Sequence, residues 1–145
     1  MRKKVNLVNC NAKPRIPSWA HKTNPLAKHV AGGTIYAEYI TSRTVFREGD
    51  CGTLSYREFV DRGQAISYDA MNACAADFYI DPENWLYLPN HTTAIVFVNT
   101  EFRDINGKQY VTYFYRDYSN CWVREYKSSD TDFNTVYRIA VIGNP

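Results

Sequence analysis

The chain lacks the patterns that identify most enzymes and metal proteins from sequence. It has no glycine-rich phosphate-binding loop, no G-x-S-x-G motif and no H-E-x-x-H motif. Its four cysteines, Cys10, Cys51, Cys74 and Cys121, are far apart and form no C-x-x-C pair, which argues against a zinc site or a thioredoxin-type site. We therefore expect free, mostly buried thiols, no metal and no cofactor.

Long apolar runs are also missing. No stretch approaches the roughly 18 consecutive apolar residues that a membrane-spanning helix needs. The basic first residues are not followed by the apolar core of a secretory signal peptide. We expect an intracellular (cytoplasmic) protein or a component of a virion, not one secreted through a signal peptide. The 45% hydrophobic and 22% charged content fits a globular domain.

Acidic residues are absent from the first 37 positions. This stretch carries seven basic side chains, whereas the rest of the chain carries ten basic side chains against fifteen acidic ones. A positive segment on a negative body is typical of electrostatic attraction to an anionic partner. The candidate binding residues of this segment are Lys13, Arg15, Trp19, Lys22 and Lys28.

Prolines at positions 14, 17 and 25 exclude a continuous helix in the same region. We interpret residues 1–31 as an extended basic arm and residues 32–145 as an α+β domain. A solvated tail has little reason to carry an apolar residue such as Trp19. We therefore expect the arm to dock, either on its own domain or on a neighbouring subunit.

The stretch 94–117 has the clearest local signal. Two runs of β-forming residues flank Asn106-Gly107, the dipeptide most typical of a two-residue type I′ turn. Counting outward from this turn places Arg103 opposite Tyr110. Because side chains alternate along a strand, one face should be the core face, with Val98, Thr100, Phe102, Val111, Tyr113 and Tyr115. The opposite, exposed face should carry Glu101, Arg103, Tyr110, Thr112, Phe114 and Arg116.

Two helices should precede this hairpin. Ser55 and Glu58 fit a capping box, in which the serine caps the first turn and the glutamate reaches back to it. Gly63 should end or weaken this helix. Ser67 offers a second N-cap before the alanine-rich stretch 70–78, which predicts a second helix.

Strand patterns recur at 34–46 before the helices, and at 121–127 and 136–142 after the hairpin. The predicted fold is a single α+β domain: an antiparallel sheet of about four to six strands, ending in a C-terminal meander, packed against one or two helices. We expect both helices on one face, which leaves the other face for solvent or a partner. The register of the strand 121–127 is not determined, because a shift of one residue exchanges its faces.

The arm and the exposed sheet face favour a non-enzymatic interaction or assembly protein. It would bind a protein partner or a neighbouring subunit, as a homo-oligomer or within a larger complex. A phage-type structural protein, or an inhibitor of a host system, fits this description. The alternative is a nucleotide- or nucleic-acid-binding protein, in which arginines contact phosphates and tyrosine or phenylalanine rings stack on bases.

A third hypothesis is a small phosphodiester-cleaving enzyme. His91 lies just before a predicted strand, where it could pair with one arm histidine and exchange protons beside Arg103 or Arg116. The two other histidines, His21 and His29, lie in the arm, and their spacing indicates neither catalysis nor a metal site.

Overall fold

A computed structural model describes residues 7–66, 70–89 and 92–143. Within these ranges the chain forms an antiparallel-dominant sheet with helices, and the predicted α+β class is confirmed. The helices are α1 (Tyr56–Gln64) and α2 (Ala73–Phe78), with 3-10 turns at Ala37–Tyr39 and Pro82–Tyr87. The strands are β1 (Leu7–Asn9), β2 (Leu26–His29), β3 (Thr34–Tyr36), β4 (Ile40–Arg43), β5 (Thr53–Ser55), β6 (Ala94–Arg103), β7 (Gln109–Arg116), β8 (Trp122–Ser128), β9 (Asp132–Asn134) and β10 (Tyr137–Ile142).

The main sheet has the strand order β4-β10-β6-β7-β8. The predicted meander is wrong at its last strand, because β10 returns to lie parallel beside the first half of β6. The composition of β10 explains this position, since Ile139, Ala140 and Val141 are consecutive and buried. A strand with apolar side chains on both faces belongs in the middle of a sheet and not at its edge.

Each face of the sheet is covered by one helix. Ile95 and Phe97 of β6 pack in the cluster that contains residues of α2, while Val96 and Val98 pack in the cluster that contains Phe59 of α1. The expectation that both helices share a face is therefore wrong. The physical reason is the run of apolar residues in β6, which needs apolar cover on both sides.

The chain changes faces between the two helices by passing through the sheet. Ala70 belongs to the α1-side cluster and Met71 to the α2-side cluster. The Met71 N–H donates to Ala140 of β10 over 3.0 Å, and the Met71 carbonyl accepts from Asn99 of β6 over 3.1 Å. On this edge of β6, β10 pairs with residues 94–96 and β2 with residues 100–102. The crossing segment fills the gap between these two strands.

The crossing also disturbs the pairing of β6 with β7. Their register shifts between Phe97 and Phe102. As a result Val98 points to the α1 side, whereas Thr100, two residues later, accepts a hydrogen bond from the Ala73 N–H of α2. An irregularity of this kind reverses which residues face each side of a strand.

Helix α1 begins at the predicted cap, but only the serine half of the capping box forms, because the Glu58 carboxylate accepts from Arg62 Nε over 2.8 Å. The Ser55 hydroxyl accepts from the Glu58 N–H over 3.1 Å. Gly63 does not end the helix; it lies inside it, where an added Cβ would stand 2.8 Å from Cγ2 of Val98. The glycine therefore lets α1 approach the sheet closely. The predicted second cap, Ser67, lies outside the described residues, and α2 starts after Asn72, whose side chain accepts from Cys74 N–H.

The predicted hairpin forms, but its turn differs from the predicted type. The Gly107 N–H donates to the Asp104 carbonyl over 3.0 Å, and the Asp104 N–H donates to the Lys108 carbonyl over 2.9 Å. Gly107 has φ 85°, whereas Asn106 is not among the residues with positive φ. This is a type I turn followed by a left-handed glycine. The Asp104 carboxylate accepts from two backbone N–H groups of the loop. The longer loop pairs Arg103 with Gln109 instead of with Tyr110.

The described part of the arm, residues 7–31, lies against its own domain. It contributes β1, which pairs with β3, and β2, which extends the main sheet. Between these strands Pro14 and Ala20 are buried, and Ala20 forms a bridge with Asp104. Docking in cis is thus established for this segment.

Among the described residues, neither helix is long and apolar enough to span a membrane.

Candidate functional site

The six residues predicted to share an exposed sheet face do not do so. Glu101, Thr112 and Phe114 are buried, with 3%, 0% and 2% of their surface exposed. Arg103, Tyr110 and Arg116 are half-buried. The expectation of an open binding face is therefore wrong, whereas a binding role for the individual residues stays a prediction.

The chain itself covers this face. The Phe114 ring meets Tyr79, which follows α2, at a centroid distance of 6.2 Å. The Tyr110 ring meets Trp19 of the arm at 4.5 Å. Arg116 lies over the ring of Trp122 at 4.8 Å, at the other end of β7. The aromatic and arginine side chains are thus used in packing and do not form one platform for bases.

Glu101 lies on the α1 side because of the irregularity in β6. Its carboxylate accepts from the Tyr56 hydroxyl over 2.9 Å, from Gln64 Nε2 over 3.0 Å and from Arg57 Nη2 over 3.2 Å. Burial raises the pKa of Glu101, but the bonds from Arg57, Gln64 and Tyr56 outweigh burial and hold the pKa below its ordinary value. The buried carboxylate is therefore an ionised structural group.

This network predicts a pH dependence of stability. Since the folded-state pKa of Glu101 is lowered, its ionisation stabilises the fold above the ordinary glutamate pKa of about 4.3, and the contribution is lost as pH falls through the lowered value. In Glu101→Gln, unfolding free energy should fall by about 1–2 kcal/mol at neutral pH, and part of its acid dependence should disappear. Urea unfolding checks this for the wild type, for Glu101→Gln and for the exposed control Glu48→Gln, with measurements about one pH unit apart between pH 3 and pH 7. An identical acid dependence in all three proteins would contradict it.

A groove with an aromatic floor lies at the turn end of the hairpin, and we call it the hairpin groove. Trp19 packs there against Tyr110 and Tyr126, with centroid distances of 4.5 and 5.1 Å. The groove has a volume of about 580 Å³. Its rim carries charges of both signs and the exposed Ile105; the lining residues are Ser18, Trp19, Lys22, Asp104, Ile105, Tyr110, Glu125 and Tyr126.

A second cleft lies beside the first and shares Tyr126 with it; we call it the arginine cleft. Its volume is about 380 Å³. Arg15 of the arm and Arg124 of β8 both line it. The register of β8 is now determined, because Phe114 pairs with Arg124 and Thr112 with Tyr126, which places Arg124 and Tyr126 on the side of α2 and the arm.

A third cleft, the edge cleft, lies where β2 meets the crossing segment. It encloses about 540 Å³. The lining residues are Lys28, Val30, Ala31, Gly32, Gln64, Ala70 and Asn99. Lys28 Nζ donates to Gln64 Oε1 over 3.0 Å, so the lysine reaches across the cleft from β2 to α1.

The arm supplies one cation to each of these clefts. Lys22 lines the hairpin groove, Arg15 the arginine cleft and Lys28 the edge cleft, whereas Lys13 is exposed and lines none of the three. Within residues 7–66, 70–89 and 92–143, no carboxylate lies within ion-pair distance of these four cations. The arm therefore docks through its apolar residues and leaves its charges available.

A cluster that the sequence did not indicate brings a cysteine, a histidine and a threonine together. His29 Nε2 lies 3.9 Å from Cys74 Sγ, and His29 Nδ1 lies 2.8 Å from the Thr100 hydroxyl oxygen. Cys74, His29 and Thr100 are thus arranged in the order of a nucleophile, a base and an orienting group. However, the thiol donates to the Ala12 carbonyl over 2.8 Å, and burial, aided by the charge of Asp77, raises the pKa of Cys74 to about 11. A protonated, buried thiol favours a structural role.

Thiol reactivity tests this assignment. The four cysteines are free, but only Cys10 and Cys74 are buried, so the expectation of mostly buried thiols is wrong for Cys51 and Cys121. Burial raises the pKa of Cys10 to about 12. Ellman's reagent at neutral pH should titrate two thiols rapidly and the other two only after unfolding. Rapid reaction of Cys74 that is lost in His29→Ala would contradict a structural role.

The part of the chain that the structure describes contains no group of three or more histidine, cysteine and carboxylate side chains placed to hold a metal ion. His91, on which the phosphodiesterase hypothesis depends, lies outside the described residues. His21 is used locally, since its Nδ1 accepts from the N–H groups of Thr23 and Asn24.

Comparison with known proteins gives no relative from which a function could be transferred: no protein-family model, no curated protein and no solved structure matches the chain.

Proposed function

We propose that this is a non-enzymatic binding protein that holds an anionic protein partner along the docked arm. The proposal rests on three cations in the described part of the arm, Arg15, Lys22 and Lys28, each of which lines a cleft and has no carboxylate within ion-pair distance among the described residues. Unpaired cations at concave surfaces attract acidic groups and accelerate association with them.

The hairpin groove supports a protein partner more than a nucleic acid. Its floor of Trp19, Tyr110 and Tyr126 can receive an apolar anchor residue, and such rings are enriched among the residues that dominate protein interfaces. The carboxylate of Asp104 on the rim would repel a phosphate backbone. The rings also pack edge-to-face or tilted against one another, which leaves less ring surface for stacking on bases.

Site-specific photo-crosslinking in the source cells tests the proposal. A crosslinking amino acid replaces Ile105, which is 68% exposed at the hairpin groove, or Val136, which is 49% exposed and lines none of the three clefts. The Ile105 position should give a discrete protein adduct that is absent at Val136. The double variant Arg15→Ala, Lys22→Ala should lose most of this adduct, and added salt should do the same.

Two results would contradict the proposal. Equal adducts at Ile105 and Val136 that do not change when the two cations are removed would show non-specific contact and no binding site. An adduct that nuclease removes would identify a nucleic acid in place of a protein and would favour the alternative hypothesis.

A further inference from the structure

Arg124 has an unused hydrogen-bond donor in a largely buried position. Its side chain is 14% exposed. Nε donates to the Thr112 hydroxyl over 3.0 Å, and Nη1 donates to Asp77 Oδ1 over 2.6 Å. Nη2 is enclosed and has no acceptor within the described part of the chain. A buried N–H without an acceptor costs about 1–3 kcal/mol, and such groups in native proteins often indicate a bound water or ion.

The surroundings of Arg124 carry an excess of positive charge. Asp77 is the carboxylate in contact with it, and the second oxygen of Asp77 already accepts the backbone N–H of Arg15 over 2.8 Å. The Arg15 side chain, which is exposed, lines the same arginine cleft. Two guanidinium groups thus line a cleft of about 380 Å³, and the Asp77 carboxylate pairs with that of Arg124.

The walls of the cleft are apolar. Ile16 and Ile80 are 37% and 39% exposed there. The Tyr126 ring lies 5.5 Å from the Arg124 guanidinium carbon, where it orients the planar group. Apolar walls around a pair of guanidinium groups match a side chain that has a hydrocarbon stem and an oxyanion at its end.

We propose that the arginine cleft binds a carboxylate of an acidic segment in the partner protein. This inference rests on the proposed function and names the chemistry that the partner presents. Arg15 makes the first contact because it is exposed. Arg124 Nη2 gives the second hydrogen bond when the arm residues at the cleft, 15–17, shift enough for an oxygen to reach it. Inorganic phosphate offers a similar oxyanion and is the competing source.

Titrations of the isotope-labelled full chain, followed by the amide NMR spectrum, test the site. The probes are N-acetyl-tetraglutamate and, separately, inorganic phosphate, at one ionic strength. The peptide should shift the signals of residues that line the arginine cleft. Arg15→Ala should weaken peptide binding about tenfold, whereas Lys13→Ala, which removes an exposed cation two residues away, should change it less than about twofold.

Arg124→Lys provides the second part of the test. Lysine keeps the charge and can still pair with Asp77 but lacks the donor that Nη2 supplies. It should weaken peptide binding about fivefold or more, with an otherwise unchanged spectrum. If Arg15→Ala and Lys13→Ala lost peptide affinity equally, the binding would depend on net charge alone, and the proposed site would be wrong. Binding of phosphate without binding of the peptide would overturn the assignment to a partner carboxylate. If the crosslink forms at Ile105 but the peptide does not bind, the proposed function holds and the arginine cleft is not the site of the carboxylate.

Discussion

Replacing Trp19 with alanine should lower the free energy of unfolding by about 2–3 kcal/mol. The indole packs against Phe102, Tyr110 and Tyr126 at centroid distances of 6.4, 4.5 and 5.1 Å, so its removal opens a hole between the arm and the sheet. Fully buried tryptophan-to-alanine changes cost about 3–5 kcal/mol, and the value here is smaller because Trp19 is only half-buried. Urea unfolding measures the loss.

Tyr118→Ala is the matched control for this prediction. Tyr118 is fully exposed in the turn after β7, so its removal should change stability by less than about 0.5 kcal/mol. If Trp19→Ala were as mild as the control, the arm would contribute nothing to the fold in solution, and its cations would not be held at the clefts.

Gly63→Ala should destabilise the protein by about 2 kcal/mol, although alanine is the better helix former by about 1 kcal/mol. The added methyl group would stand 2.8 and 3.2 Å from the two Cγ atoms of Val98 and 3.3 Å from Cγ2 of Ile139. Both neighbours are fully buried, so neither can move aside, and overpacking of this kind costs about 1–3 kcal/mol.

A double variant distinguishes overpacking from an effect on the helix alone. Val98→Ala creates space at the same contact, so Gly63→Ala, Val98→Ala should be less destabilised than the sum of the two single changes. Additive effects in the double variant, or a gain in stability from Gly63→Ala, would show that α1 does not lie this close to β6.

Local signals in the sequence predicted local structure well. The capping box at Ser55 and Glu58 requires only residues within one helical turn, and the hairpin 94–117 requires only its two strands and their loop. Even there the turn type was wrong, because the Asp104 side chain accepts two loop N–H groups and stabilises a longer loop than Asn106-Gly107 alone indicates.

The faces of β6 could not be predicted from alternation alone. Asn99 gives its N–H to Met71 and its side-chain amide to Ala70, residues that are nearly thirty positions earlier in the chain. These bonds draw the strand out of register with β7. Beyond this point Glu101 faces α1. Strict alternation correctly assigned Val98 to a core face, but it wrongly assigned Glu101 to the exposed face.

The candidate site was partly predictable. Composition alone indicated the basic arm, and Trp19 indicated that the arm docks. Arg15, Lys22 and Lys28 do line clefts. Arg124 and Tyr126 were missed as site residues because the register of β8 relative to β7 decides which face of the sheet they lie on, and no local pattern specifies it. Asp77 was missed because its contact with Arg124 forms only when α2 packs on that face. His29 and Cys74 come together only through the arm's own docking.

We infer that the arm is held in cis by one molecule and presents its cations from there. Amide hydrogen exchange in a dilute monomer tests this most directly. The His21 N–H donates to the Arg103 carbonyl over 2.8 Å, and the Val30 N–H donates to the Asn99 carbonyl over 2.9 Å. We expect both amides to be protected, with opening free energies that do not change over a roughly hundredfold range of protein concentration. Exchange at the rate of an unstructured chain, or protection that grows with concentration, would contradict the account.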